Sequence, residues 1–212
     1  MTLLYPLDAA LDSDVRLRLL GTKAAGLNAM TALGIPVPPG VTITTEVGKR
    51  YRENRAWPDG LQAAVEEALG AVEKRLGRRF GDENHPLLLA IRSGARVSMP
   101  GMMDTVLNLG LNDETVKGVI AQSGDERFAY DAYRRFIQLF GKVALGLEDE
   151  HFDEPFEAIK KREGGKEDVG LSAEPLKEIA TMFLEIAHGQ TGRTFPEDPY
   201  EQHDLAIKDV LG

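Results

Sequence analysis

The chain has 212 residues, with 25 lysines and arginines against 34 aspartates and glutamates, a formal charge of −9 near neutrality. That balance excludes a duplex nucleic-acid binder, whose partner must be met by a basic face that releases counterions, but leaves room for a local basic pocket around a small phosphate ligand. The absence of cysteine excludes disulfide scaffolds, thiolate metal sites and cysteine nucleophiles, and fits a reducing compartment. The first residues lack a basic stretch and carry Asp8, Asp12 and Asp14 where a secretion signal would be apolar. No apolar run approaches the roughly 20 residues of a membrane span. A soluble cytoplasmic protein, with neither a membrane nor a nucleic acid as partner, is therefore expected.

In chain order, residues 1 to about 110 mix short β-like runs with helices and hold much of the Gly and Pro punctuation, the pattern of an α+β unit. Lys23 to Leu33 predicts a helix, with Leu27, Met30 and Leu33 at helical spacing and Gly34 as its stop. The prolines of Ile35-Pro-Val-Pro-Pro-Gly40 then force an extended turn, since each fixes φ and biases its predecessor away from helix. Val41 to Thr45 is β-branched and predicts a strand. Leu61, Val65, Leu69, Val72 and Leu76 form the stripe of an amphipathic helix, and further strands are predicted at Leu87–Arg92 and Thr105–Leu109.

From about 111 to 195 helical periodicity takes over. Arg127 to Val143 carries Phe128, Tyr133, Phe136, Ile137, Phe140 and Val143, an aromatic face suited to a small bundle. The charged, glycine-containing stretch Lys160 to Gly170 predicts a loop. Ser172 offers an N-cap to a helix running towards His188, closed by Gly189. Residues 196–212 start a last helix, with Asp198 as N-cap, Pro199 at the first helical position and Glu201 completing a capping box. Leu205, Ile207 and Val210 on it are expected to form an exposed apolar patch.

Chemistry concentrates between Ala90 and Thr105. Arg92 and Arg96 leave a predicted strand and are followed by Ser98, Gly101 and Thr105, all small or hydroxylated. Two guanidinium groups beside residues that allow close backbone approach fit a phosphate cradle. They equally fit solvated or salt-bridged arginines at a strand end. Met99, Met102 and Met103 fit either the padding of an aromatic base or the filling of gaps in a core. Gly21-Thr-Lys-Ala-Ala-Gly26 is a second candidate, because Lys23 sits in a first helical turn where N–H groups and the dipole favour an anion. Its other reading is a solvent-facing helix lysine, and it lacks the Gly-Lys-Ser/Thr ending of a Walker A loop. His85, His151, His188 and His203 show no metal-ligand spacing and are expected at the surface or at caps. The acidic residues from Glu148 to Glu157 lack the pattern of an EF-hand loop and read as a solvated face near a helix start.

The string from Arg92-Ser-Gly-Ala-Arg through Met-Pro-Gly-Met-Met-Asp-Thr105 to Asn112-Asp113 resembles the nucleotide-binding region of the pyruvate, phosphate dikinase family. Similar stretches follow in the family's order at Gly21–Leu27, Leu33–Thr45, Glu126–Gln138 and Phe195–Gln202. Related phosphoenolpyruvate synthases and glucan, water dikinases usually carry Arg-Ser-Ser-Ala at the first position, so the dikinase branch is favoured. Thr22 and Ala24 depart from the family, which usually has glycine at both places.

The resemblance implies an ATP-grasp-type first lobe at 1–110, a helical subdomain at 111–195 and the start of a second lobe at 196–212. It implies ATP as the bound nucleotide, with Lys23 and Arg92 on its phosphates, Arg96 supporting the phosphate pocket, and Gly101, Met103 and Thr105 lining the nucleotide. In that family ATP and phosphate lead to a phosphohistidine on a separate domain, and a barrel domain passes the phosphoryl group to pyruvate. The acidic Mg2+ ligands, the phosphohistidine and the pyruvate site are accordingly expected in polypeptide beyond these residues, in the same or a separate chain, with a homodimer as the family's assembly. This chain alone is expected to be catalytically incomplete, either as the ATP-binding portion of a dikinase or as a non-catalytic docking module completed by a partner.

Overall fold

The computed structural model describes residues 2–93, 105–165 and 167–211. It is a mixed helix and strand protein whose chain divides into two compact units, Met1–Gly77 with Arg92–Asp104 and Val210–Gly212, and Arg78–Ile91 with Thr105–Asp209.

In the first unit, β1 (Leu4–Pro6) pairs antiparallel with β2 (Val41–Ile43), Leu4 opposite Ile43 and Pro6 opposite Val41. The predicted strand 41–45 stops after three residues. Thr44 stays extended at φ −68° and ψ 151°, but as the residue before α2 (Thr45–Asn54), and its N–H donates to the Leu3 carbonyl at 3.0 Å. Tertiary context thus overrides the β-branched preference of Thr45, which enters a helix that the sequence pattern did not announce.

The helix α1 (Ser13–Ala32) starts ten residues before the predicted one, but it is two helices joined at Gly21, where φ 74° and ψ 171° break the helical path. That conformation is open essentially to glycine alone. α3 (Leu61–Leu76) has the predicted bounds, burying Leu61, Val65 and Leu69 and ending at Gly77 with φ 64°. Leu19, Leu20, Ala25 and Val47 complete the core of this unit.

In the second unit the predicted strand 87–92 is two strands. β4 (Pro86–Leu87) pairs parallel with β3 (Arg79–Phe80), and β5 (Leu89–Arg92) pairs with β6 (Thr105–Leu109). Five helices follow: α4 (Thr115–Ser123), α5 (Glu126–Leu145), α6 (Glu150–Arg162), α7 (Ala173–Thr191) and α8 (Pro199–Leu211). α5 packs on α7, α4 and β6, and Asp125 caps it by accepting from the Phe128 N–H at 2.9 Å. The aromatic face is real: Phe136 and Phe140 meet the Phe195 ring at 5.9 and 5.2 Å between centroids, and Phe152 meets Phe183 at 4.9 Å. Such edge-on pairs add roughly 0.5–1.5 kcal/mol to plain area burial. Phe128 is the exception, exposed because it lies about 180° around the helix from Ile137 and about 120° from Phe140, away from the centre of the buried face.

α6 runs three residues into the predicted loop, and the remainder includes a short 3-10 turn at Asp168–Gly170. A charged network ties this turn down. Arg134, 2% exposed, contacts Asp131 at 2.7 Å and Asp168 at 3.4 Å and stacks 4.3 Å from the centre of the Phe156 ring. Lys160 reaches Asp168 at 3.1 Å, and Arg127 donates to the carbonyls of Asp168 and Leu171, both at 2.9 Å.

Gly189 does not end α7; the helix continues to Thr191 and closes at Gly192, whose φ of 66° lets its N–H return to the His188 carbonyl. An interior glycine lowers helix propensity by about 1 kcal/mol without forcing a stop. At α8, Asp198 accepts from the Tyr200 N–H at 3.0 Å, as its capping role predicts. Ile207 is buried, so the expected exposed patch with Leu205 and Val210 does not form. His203 is likewise half-buried rather than at the surface, its ring 5.8 Å from that of Phe80, and burial depresses its pKa.

Gln202 is completely buried beneath the end of β6. It accepts from the Gly110 N–H at 3.0 Å and donates to the carbonyls of Leu111 and Pro196 at 3.0 and 2.9 Å.

Candidate functional site

The break at Gly21 creates two helix ends inside α1. In the turn before it, the Arg18 carbonyl accepts from the Thr45 hydroxyl at 2.7 Å, so a side chain of α2 terminates the first half. After the break, Lys23 lies in the first turn of the second half. N–H groups at such a turn have no carbonyl one turn back within their own helix, and together they carry a partial positive charge.

Lys23 adds a full positive charge at that same end. It is half-buried and makes no ion pair or hydrogen bond with the described residues, whereas Lys117, Lys160, Arg134 and Arg162 each sit against a carboxylate. A cation placed where the helix dipole is also positive, without a counter-charge, is an arrangement that an anion would stabilise.

Arg92 is the last residue of β5, exposed, and has no carboxylate partner among the described residues. Thr105, half-buried, opens β6. Because β5 and β6 pair with each other, the chain between Arg92 and Thr105 leaves one strand of a two-stranded ladder and returns into the other. Arg96, Gly101 and Met103, with Ser98, Met99 and Met102, lie outside the described residues. Lys23 and Arg92 belong to the first unit and Thr105 to the second. Among the described residues no group of three or more His, Asp or Glu is placed to hold a metal ion.

Sequence reading missed two residues that shape α1 around Lys23. Thr45 was assigned to a strand, and Asn28 gave no signal because a single polar residue in a helical run reads as solvent-facing.

A family model described as the pyruvate phosphate dikinase AMP/ATP-binding domain matches residues 53–173. The chain belongs to this family. Arg92, Arg96, Gly101, Met103 and Thr105 lie within the matched residues, and Lys23 precedes them. A pyruvate, phosphate dikinase of Giardia intestinalis is 48% identical over 94% of this chain, and one of Entamoeba histolytica is 49% identical over 90%. A chloroplastic pyruvate, phosphate dikinase of Arabidopsis thaliana is 47% identical over 91%. The chain spans only 23%, 22% and 20% of these three relatives, respectively. Among the described residues no helix is long and apolar enough to cross a membrane.

Proposed function

We propose that this chain is an ATP-binding portion of a pyruvate, phosphate dikinase, an enzyme that converts ATP, phosphate and pyruvate to AMP, pyrophosphate and phosphoenolpyruvate through a phosphohistidine. In this reading residues 1–110 are an ATP-grasp-type first lobe, 111–195 a helical subdomain, and 196–212 the start of a second lobe. Lys23 and Arg92 hold the ATP phosphates and Arg96 supports the phosphate pocket, while Gly101, Met103 and Thr105 line the nucleotide. The phosphohistidine and pyruvate sites belong to further polypeptide, and the assembly is a homodimer.

The observation that carries this reading is Lys23, a half-buried cation in the first turn after a glycine break, with no carboxylate beside it among the described residues. Its ammonium and the N–H groups of the turn converge on the same kind of ligand, a polyanion. Membership of an AMP/ATP-binding family supports reading that polyanion as a nucleotide's phosphates, although Lys23 itself precedes the matched residues. Phosphoryl transfer is helped chiefly by positioning and charge neutralisation, and fixed cations supply both without taking part in covalent chemistry. Mg2+ would neutralise further phosphate charge, and in this reading its carboxylate ligands belong to further polypeptide.

The test is thermal unfolding of the full chain with and without millimolar Mg-ATP, for the wild type, Lys23→Ala and Arg92→Ala. A ligand present at 100 times its Kd stabilises the native state by about 2.7 kcal/mol. For a protein of this size that is a rise in Tm of roughly 5–10 °C. Each substitution is expected to remove most of the rise while leaving the ATP-free transition in place. A rise that survives both substitutions overturns the assignment of the two cations, and a wild type that ATP does not stabilise overturns the reading as a whole.

A further inference from the structure

Resting on the assignment of Lys23 to ATP phosphates, we infer that Asn28 is a positioning residue for nucleotide binding. Its carboxamide fixes the rotation of the second half of α1 and with it the direction in which Lys23 projects.

Asn28 is 1% exposed, and its Nδ2 donates to the carbonyls of Leu7 and Ala9 at 2.8 and 2.9 Å, just after β1. Both amide hydrogens are thereby used on a segment anchored in turn by the Leu7 N–H donating to the Gly40 carbonyl at 2.9 Å. Past Gly21, only Ala25 and Asn28 of α1 are buried, and Met30 is 40% exposed. A methyl group cannot by itself select one rotation of a helix about its axis. Nor is the rotation inherited from the first half, because Gly21 interrupts the helical path between them. Leu27 and Ala29 are half-buried and pack without direction, so the two directional bonds of Asn28 are what fixes it most narrowly.

Lys23 and Asn28 are five residues apart, which puts them about 140° apart around the helix. The inward anchor therefore faces away from the cation it aims. A turn of 20° would sweep a side-chain tip about 6 Å from the axis through about 2 Å. A charge-assisted hydrogen bond to a phosphate oxygen is made only at about 2.7–2.9 Å, so a displacement of this size breaks it. Asn28 also has a buried Oδ1 with no partner among the described residues. An apolar residue of similar size would avoid that unpaired acceptor, but the Leu7 and Ala9 carbonyls would then lose their donor. The carboxamide is accounted for by its two donors and the orientation they impose.

The test is a double-mutant cycle in Mg-ATP affinity, measured by titration calorimetry on the full chain for the wild type, Lys23→Ala, Asn28→Ala and the double variant. Asn28→Ala is expected to weaken binding about tenfold. The double variant is expected to bind no more weakly than Lys23→Ala alone, because Asn28 acts only through the lysine. Equal losses in both backgrounds would make Asn28 merely structural and overturn the inference, as would Asn28→Ala binding like the wild type while Lys23→Ala binds weakly. A wild type that does not bind Mg-ATP overturns the functional reading itself and the inference with it, and is distinct from either pattern. Should Asn28→Ala fail to unfold cooperatively, Asn28→Ser keeps a donor for one carbonyl and is expected to show an intermediate loss, again absent beside Lys23→Ala. Ala25→Gly loosens the same buried stripe but keeps the carboxamide, and should leave affinity within twofold.

Discussion

Replacing Gln202 by leucine isolates the value of one buried side chain with little change in volume. The wild-type carboxamide serves three backbone groups, accepting from the Gly110 N–H and donating to the carbonyls of Leu111 and Pro196. Leucine serves none of them, and at a site with no exposure water has no direct access to replace the bonds. A buried backbone group left without a partner costs roughly 1–3 kcal/mol, so three cost roughly 3–9 kcal/mol, and setting about 2 kcal/mol for the better burial of leucine against them leaves a loss of roughly 1–7 kcal/mol. Urea unfolding followed by circular dichroism should show this as a lower midpoint at an unchanged slope. Gln202→Glu sharpens the test. A carboxylate can accept from Gly110, but its second oxygen would face two carbonyls unless protonated, so the folded state raises its pKa above the ordinary value of about 4.3. Its stabilising contribution is then fully present below that value and is lost as pH rises through the folded-state pKa. Gln202→Glu should therefore be more stable than Gln202→Leu near pH 4 and lose that advantage by neutrality. A loss below about 1 kcal/mol for Gln202→Leu, or a Gln202→Glu variant indifferent to pH, would refute the accounting.

Gly118→Ala should destabilise the second unit by roughly 2 kcal/mol although alanine is the better helix former. Its Cβ would stand 2.2 Å from the Glu83 carbonyl oxygen and 2.9 Å from Pro86 Cδ, a backbone and a ring that cannot swing aside; a rise in the urea midpoint would contradict that packing. For Asp168, burial favours the neutral acid, but the Lys160 hydrogen bond and the neighbouring charges of Lys160, Arg134 and Arg135 outweigh it and hold its carboxyl below the usual range. Its contribution is present above the unfolded pKa near 3.9 and is lost as pH falls through the lower folded value, so the stability gap between the wild type and Asp168→Asn should narrow under acid; a gap constant from pH 6 to pH 2 would show that the ion pairs contribute nothing.

The helical half of this fold was legible because its signal is redundant. In α3 and α7 each apolar residue repeats what its neighbours one turn away say, and in α5 only Phe128 breaks the agreement. The short strands carry too few residues for such repetition. Val41 to Thr45 reads as one β-branched run, yet the chain turns into a helix at Thr45, where the hydroxyl meets the Arg18 carbonyl. The site divides in the same way. Lys23 was visible as a glycine-flanked cation in a first turn, but the break that isolates that turn needs a backbone angle, and no sequence pattern carries one. The sequence assigned Arg92 to a strand end without showing that no carboxylate of the described residues meets it there. Asn28 was invisible for a different reason: its partners are main-chain carbonyls 21 and 19 residues away, and a carbonyl leaves no trace in the choice of side chain.

The path of the chain between its two units limits how the protein can be taken apart. Passing from Gly77 to Arg78, from Ile91 to Arg92, from Asp104 to Thr105 and from Asp209 to Val210, it crosses from one unit to the other four times. A single proteolytic nick therefore releases neither unit intact. A truncation anywhere from 105 to 209 leaves the first unit without its last segment and the second without part of its sequence. Obtaining the first unit alone would require excising both 78–91 and 105–209 and rejoining the ends, so a shortened gene is expected to express neither unit complete.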